Sequence, residues 1–203
     1  FSKMGLVTLP SRDVRWDKEH IDIFVKQADK MGLTSIGTLA LMCYYLCQRI
    51  GDMRQMCWGN YDLQGDGFFD FVQEKSRTVN KPQGNLVSVP VYNEVLKERL
   101  GRLTRGGKDD FIILNERTGR PYTRWAYKAV AEVRKAAGLP EELKISDLRR
   151  TGATKAGEAG LTEDEIMSLT GHTSREVVSV YVKKTRRMAS TAARKRHENE
   201  QYK

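Results

Sequence analysis

The apolar positions of this chain change period along its length. Residues 1–16 show no sustained periodicity and read as an extended leader or interdomain linker. From Asp17, an N-cap type, Ile21, Phe24, Ala28 and Met31 fall on one helical face, and Gly32 ends the pattern. A longer helical pattern is expected from about Ser35 to Cys57. It turns Leu39, Met42, Leu46, Ile50 and Met53 inward and interleaves Arg49 and Asp52 near its C-terminal end. The period then shortens. Asp62 to Gly67 is turn-like, Phe68-Phe69-Asp70-Phe71-Val72 is strand-like, and Leu86-Val87-Ser88-Val89 alternates as a half-buried strand does. These segments predict a small antiparallel sheet, from which a hairpin bearing Lys75, Arg77 and Lys81 projects.

Helical spacing returns at Asn93–Leu103, followed by the Gly106-Gly107 loop and the short apolar run Phe111 to Leu114. A further helix is predicted from about Thr123 to Ala137, stopped by Gly138 and Pro140. Ser146, as N-cap, opens another that closes at Gly160; Thr162 with Glu165 makes a capping box for the next, which Gly171 ends. Ser174 starts the helix that carries Tyr181. There are no internal repeats. The predicted fold class is mainly α with a small antiparallel β-sheet.

The length of 203 residues suits one domain, and a hydrophobic fraction of 39% is enough for an ordinary core. Lysine and arginine total 35 against 26 acids, a net charge of +9. That excess favours a polyanionic partner, of which nucleic acid is the commonest. Between Lys183 and Arg196 there are seven basic residues, Lys183, Lys184, Arg186, Arg187, Arg194, Lys195 and Arg196, and no acid. Such a run is either a solvated tail or a contact with DNA or a neighbouring subunit. The three cysteines, Cys43, Cys47 and Cys57, lack the spacing of a disulfide framework, and buried thiols in a reducing cytoplasm explain them better than a metal pair. No stretch has the length and apolarity of a membrane span, and the start is not a signal peptide. Phe1 in place of an initiating methionine suggests a fragment.

Chemistry concentrates in a few places. Arg49 and Arg149 come from separate helices and can grip the non-bridging oxygens of a phosphodiester from two sides, through forked hydrogen bonds that strengthen as charge develops. Asp52, one turn after Arg49, can hold it; a surface ion pair is the competing role for each arginine. His172, at a helix end, can donate to a phosphate oxygen or simply cap the helix. Tyr181 is either a nucleophile or a core tyrosine beside Val177, Val178 and Val180. A phenol with a pKa of about 10 needs help to attack at neutral pH, and nearby guanidinium groups lower the cost of the phenolate.

These residues stand in recognisable boxes. Arg49-Ile50-Gly51-Asp52, Gln73-Glu74-Lys75, Ser146-Asp147-Leu148-Arg149-Arg150-Thr151, Gly171-His172 and Tyr181 resemble, in order and spacing, the catalytic boxes of the tyrosine recombinases, the phage-integrase family. The resemblance runs from about residue 17 to 185 and leaves 186–203 as a basic C-terminal tail. It implies a recombinase catalytic domain in which Tyr181 cleaves one DNA strand. The products are a 3′-phosphotyrosine and a free 5′ hydroxyl. Arg49, Arg149 and His172 hold the phosphate, and Lys75, with Lys81 as the competitor on the same hairpin, protonates the leaving oxygen. It also implies no metal or nucleotide cofactor, double-stranded DNA as partner, a homotetramer on paired sites, and a cytoplasmic setting without membrane. Arg77, Lys81, Arg150, Lys183 and Lys184 are the expected DNA contacts.

One position departs from the family pattern: Ser146 stands where histidine, sometimes lysine, is usual. Serine is no general base near neutral pH, so proton removal from Tyr181 falls to water or to the phosphate. Gln48-Arg49-Ile50-Gly51-Asp52 is worded more like phage or prophage integrases than chromosome-dimer resolvases. Two other readings compete: a type IB topoisomerase-like enzyme, and a DNA-binding module with impaired chemistry. The charge balance generates a first prediction. Duplex binding should fall steeply with salt, with a log–log slope of about −0.9 per neutralised phosphate; flat binding between low and moderate salt in a titration would contradict the electrostatic reading.

Overall fold

The computed structural model describes residues 14–62, 67–122, 126–182 and 185–201. Most of the expected leader, the middle of the Asp62–Gly67 turn, the expected helix start at Thr123, and Lys183 with Lys184 therefore lie outside the described residues.

Helix α1 (Lys18–Lys30) buries Ile21, Phe24 and Ala28, as the spacing required. Met31 does not join that face; it sits at the C-cap and is exposed. Ahead of α1, Trp16 packs edge-on against Phe24 at 5.4 Å and donates from its indole N–H to the Lys144 carbonyl at 3.0 Å. Helix α2 (Thr34–Tyr45) is buried continuously from Ser35 to Cys43, because other helices surround it. It forms the axis of the core.

The continuous helix expected from Ser35 to Cys57 is not formed. It stops at Tyr45 and resumes as the short α3 (Ile50–Met53). Cys47 takes a left-handed φ of 53°, and Arg49 is extended at φ −73°, ψ 143°. Leu46, Ile50 and Met53 are still buried, so the apolar period survives the break. What the break changes is the direction of the intervening Gln48 and Arg49. Cys57 also lies outside any helix, bridged to Phe111. Cys43 and Cys47 are buried free thiols, and burial pushes the Cys47 thiol up to about 12.

The sheet has the order β1 (Tyr61–Asp62), β2 (Phe68–Val72), β3 (Leu86–Pro90), antiparallel throughout. Phe69 pairs with Val89 and Phe71 with Val87, and all four are buried, which places the inward set of both strands on one face. Segment 73–85 is the expected projecting hairpin; Lys75, Arg77 and Lys81 are all exposed on it.

Helix α4 (Glu94–Gly101) is capped by the Asn93 side chain, which accepts from the Leu96 N–H. Helices α5 (Ala126–Ala136) and α6 (Asp147–Glu158) follow. Then comes α7 (Glu163–Thr170), with the Thr162–Glu165 capping box and a left-handed Gly171 at φ 73° as expected. Ser146 precedes α6, yet its backbone is already αR and its side chain makes no cap bond, so the N-cap role expected for it is not realised. The nearby Asp147 carboxylate instead accepts from the Lys144 N–H at 3.1 Å. Helix α8 (Arg175–Tyr181) joins α6 and α7 around Ala153, Ile166 and Val178.

The expected basic tail is largely helical. Helix α9 (Arg186–Gln201) lies along α6. Thr191 donates to the Glu158 carbonyl at 3.2 Å and Lys195 to the Gly160 carbonyl at 2.9 Å. Among the described residues, no helix is long and apolar enough to cross a membrane.

Gly152 sets how closely α6 meets α2. A β-carbon there would lie 2.2 Å from the Tyr44 carbonyl oxygen and 2.8 Å from the Cys47 sulfur. The obstacle is backbone, which cannot rotate away. Gly152→Ala should therefore destabilise the fold by about 1–3 kcal/mol despite alanine's better helix propensity. Urea denaturation checks this; an unchanged midpoint would mean that the approach is not tight.

Candidate active site

Three interruptions of regular structure meet at one place. They are the gap between α2 and α3 that carries Gln48 and Arg49, the start of the hairpin after β2 that carries Gln73 and Lys75, and the turn after α7 that carries His172. Arg149 enters from the first turn of α6 and is only 3% exposed. A guanidinium stays charged when buried, so it needs acceptors. Its Nη2 donates to the Thr170 carbonyl at 2.9 Å and faces His172 Nε2 at 2.8 Å; its Nη1 donates to Gln48 Oε1 at 3.4 Å.

The hydrogen bonds decide the His172 tautomer. The Thr170 hydroxyl gives its proton to the Ile166 carbonyl at 2.7 Å, so at its 2.9 Å contact with His172 Nδ1 it must accept. Nδ1 therefore carries the proton, and Nε2 receives the Arg149 donor. Burial first, then the Arg149 and Arg49 charges, pull the His172 pKa down to about 4. The ring is neutral at pH 7 and, in this state, does not offer the outward donor expected of it.

Arg49 is 28% exposed at its side chain and less enclosed than Arg149. Its Nη1 donates to Gln73 Oε1 at 3.3 Å and lies 3.7 Å from Asp52 Oδ2. Asp52 is buried and its Oδ1 accepts from the Glu74 N–H at 3.0 Å, so the carboxylate ties Arg49 to the hairpin, in line with the pairing read from the spacing.

A cavity of about 240 Å³ opens beside this network, lined by Arg49, Asp52, Lys75, Tyr127, Ser146 and Arg149 among others. Lys75, not Lys81, shares it with both arginines. Lys81 bonds Asn85 and lines a separate groove of about 540 Å³ that reaches His172. Ser146 is exposed on the wall of the smaller cavity. Arg77 points to solvent on the hairpin, and Arg150, one residue round α6 from Arg149, is half-buried. The backbone of Tyr181 ends α8, while its side chain lies outside the described residues, as do Lys183 and Lys184.

In the sequence Gln48 and Gln73 stand only as neighbours of Arg49 and Lys75 in their boxes, without a role, and Thr170 goes unnoticed. A signal was present for Gln73: it continues the inward alternation Phe69, Phe71, Gln73, so a polar side chain falls at a buried register position. Among the described residues, no group of three or more His, Cys, Asp or Glu side chains could hold a metal ion.

This mainly helical fold with a small antiparallel sheet is that of tyrosine recombinase catalytic domains. The sequence model of the phage integrase family matches residues 15–188, and the chain belongs to that family. A search among curated proteins gave no match. Solved structures of similar fold include XerA recombinase, at 18% identity and TM-score 0.68 over 93% of this chain and 66% of that one. A lambda integrase dimer bound to a COC′ core site aligns at 21% identity and TM-score 0.66, covering 85% of this chain and 49% of that one. The lambda integrase catalytic core aligns at 20% identity and TM-score 0.61, covering 78% of this chain and 94% of that one. The chain thus spans about two thirds or half of the longer structures, and most of the isolated core.

The depressed His172 pKa has a consequence for stability. The folded state resists a proton that the unfolded chain accepts near pH 6.5, so stability present above that pH is lost as pH falls from about 6.5 toward 4. The slope contributed by this residue is at most about 1.4 kcal/mol per pH unit. Comparing wild type with His172→Gln by urea denaturation across that window should show a shallower loss in the variant; parallel curves would contradict the buried neutral state.

Proposed function

We propose that this domain carries out site-specific DNA recombination, cleaving and rejoining strands through a covalent 3′-phosphotyrosine at Tyr181. The reading is supported most by one observation: Arg49 and Arg149, a hundred residues apart in the chain, are joined in a single hydrogen-bond network beside a cavity that also receives Lys75. Membership of the phage integrase family supports the same reading.

A DNA phosphate entering the cavity meets the two guanidinium groups, which bind its non-bridging oxygens and gain strength as the five-coordinate transition state accumulates charge. The Tyr181 oxygen bonds to phosphorus while the bond to the 5′ oxygen breaks. The phenolic proton leaves to water or to the phosphate, since Ser146 is no base. Lys75 protonates the departing 5′ oxygen. The phosphate also supplies oxygens to Arg149 and offsets the positive field around His172. Nε2 can then take a proton from water and donate to the phosphate. The phosphotyrosine conserves the bond energy, and attack by a 5′ hydroxyl of a partner duplex rejoins the strands without metal or nucleotide. Exchange between two duplexes calls for four active sites, so a homotetramer on paired DNA sites in the cytoplasm is the working assembly. One solved neighbour is a lambda integrase tetramer bound to a Holliday junction. Arg77, Arg150, Lys183 and Lys184 serve as backbone contacts that position the duplex.

A nicked suicide duplex carrying the cognate site tests this. Wild type should accumulate a covalent protein–DNA adduct on a denaturing gel, and Tyr181→Phe should give none. Absence of adduct with wild type would leave a DNA-binding module, the reading that Ser146 favours. Relaxation of a plasmid lacking any specific site would instead point to topoisomerase-like action.

A further inference from the structure

Between the two arginines stand two glutamines, Gln48 and Gln73, exposed by 0% and 1%. Gln73 Nε2 donates to Gln48 Oε1 at 2.8 Å and to the Thr170 carbonyl at 2.8 Å. Gln48 Nε2 donates to the Leu46 and Leu169 carbonyls at 3.0 and 2.8 Å. Gln48 Oε1 accepts a second bond, from Arg149, and Gln73 Oε1 accepts from Arg49. Neither amide can be turned over. Reversing Gln48 would face its oxygen with two carbonyls, and reversing Gln73 would point its oxygen at Thr170 O and Gln48 Oε1. Each glutamine therefore presents one fixed acceptor to one arginine. Together they form a chain Arg49–Gln73–Gln48–Arg149 through the interior. Gln73 also roots the hairpin two residues before Lys75: its N–H donates to the Asn85 carbonyl and its carbonyl accepts from Ser76.

We infer that Gln48 and Gln73 are positioning residues, a buried amide bridge that sets the separation and orientation of the two guanidinium groups and registers the Lys75 hairpin against them. This rests on the reading of Arg49 and Arg149 as the phosphate grip. Burial of two neutral amides is costly without partners, and here nearly every partner belongs to the site or to the turns that form it. An apolar pair of the same volume would fill the space without orienting either arginine.

The test uses the full chain with Gln73→Met and Gln48→Met, isosteric and without hydrogen bonds. Single-turnover cleavage of the suicide duplex should slow by about 10- to 100-fold with Gln73→Met, the scale of a small misplacement of catalytic groups. Duplex affinity, carried by many phosphate contacts, should change less than about twofold. In an Arg49→Ala background the same substitution should slow cleavage by a clearly smaller factor than in wild type, because part of its effect passes through Arg49. An equal slowing in both backgrounds, or lost affinity with an unchanged cleavage rate, would reduce the glutamines to ordinary core residues.

A second measurement does not depend on activity. Guanidinium rotation of Arg49 and Arg149, followed by nitrogen-15 NMR, should be slow in wild type and faster in the variants. Fast rotation in wild type would overturn the bridge even if neither variant folds. If wild type forms no adduct but rotation is slow and quickens on substitution, the proposed reaction fails and the bridge stands.

Discussion

The structure is organised around a guanidinium that cannot be discharged and is nearly inaccessible to water. Arg149 is buried in the first turn of α6, where desolvation would be prohibitive without directed acceptors. They come from the C-terminal end of α7, whose Thr170 carbonyl has no intrahelical donor to serve, from the neutral face of His172, and from Gln48. Burial first, and then the field of the arginines, keeps His172 uncharged. The site thus holds two guanidinium groups at one cavity before substrate arrives, Arg49 with the Asp52 carboxylate 3.7 Å away. A phosphodiester is complementary to that pair of cations, and this is the physical basis of the proposed phosphate role of the cavity.

That requirement explains where regular structure stops. Carbonyls and amides become available to side chains only where helices and strands end, and the residues around Arg149 sit at such ends. The α2–α3 break frees the Leu46 carbonyl for Gln48. The end of α7 frees those of Leu169 and Thr170. Gly171 turns the chain out of α7 in a left-handed conformation so tight that a β-carbon would meet Gln73 Nε2 at 2.8 Å and Val87 at 2.6 Å. The left-handed Cys47, costly for a non-glycine residue, is understandable in the same terms: it ends α2 early enough to aim Gln48 inward.

The positive charge of the chain is divided between two kinds of place. The hairpin carries exposed cations that stand clear of the core, whereas α9 lays a basic segment along α6 and uses Lys195 to satisfy the C-terminal turn of that helix at Gly160. A charge run that looks like a free tail in one dimension is in part structural, because its Thr191 and Lys195 face carbonyls that α6 leaves open.

Period and punctuation in the sequence were sufficient for the class of fold, the paired strands and their buried faces, the α7 capping box and its glycine stop, and the resemblance that family membership then established. These are local properties, written in side-chain spacing and in the few residues that cap or turn the chain. The sequence also named the two arginines and the histidine that the fold gathers. Tertiary structure alone decided that α2 breaks before Gln48, that Ser146 is left uncapping on a cavity wall, that Lys75 rather than Lys81 lines a cavity with both arginines, and that two glutamines link them. Each of those outcomes depends on which distant carbonyl or carboxylate comes within about 3 Å of a donor, and a one-dimensional pattern holds no distances across the fold.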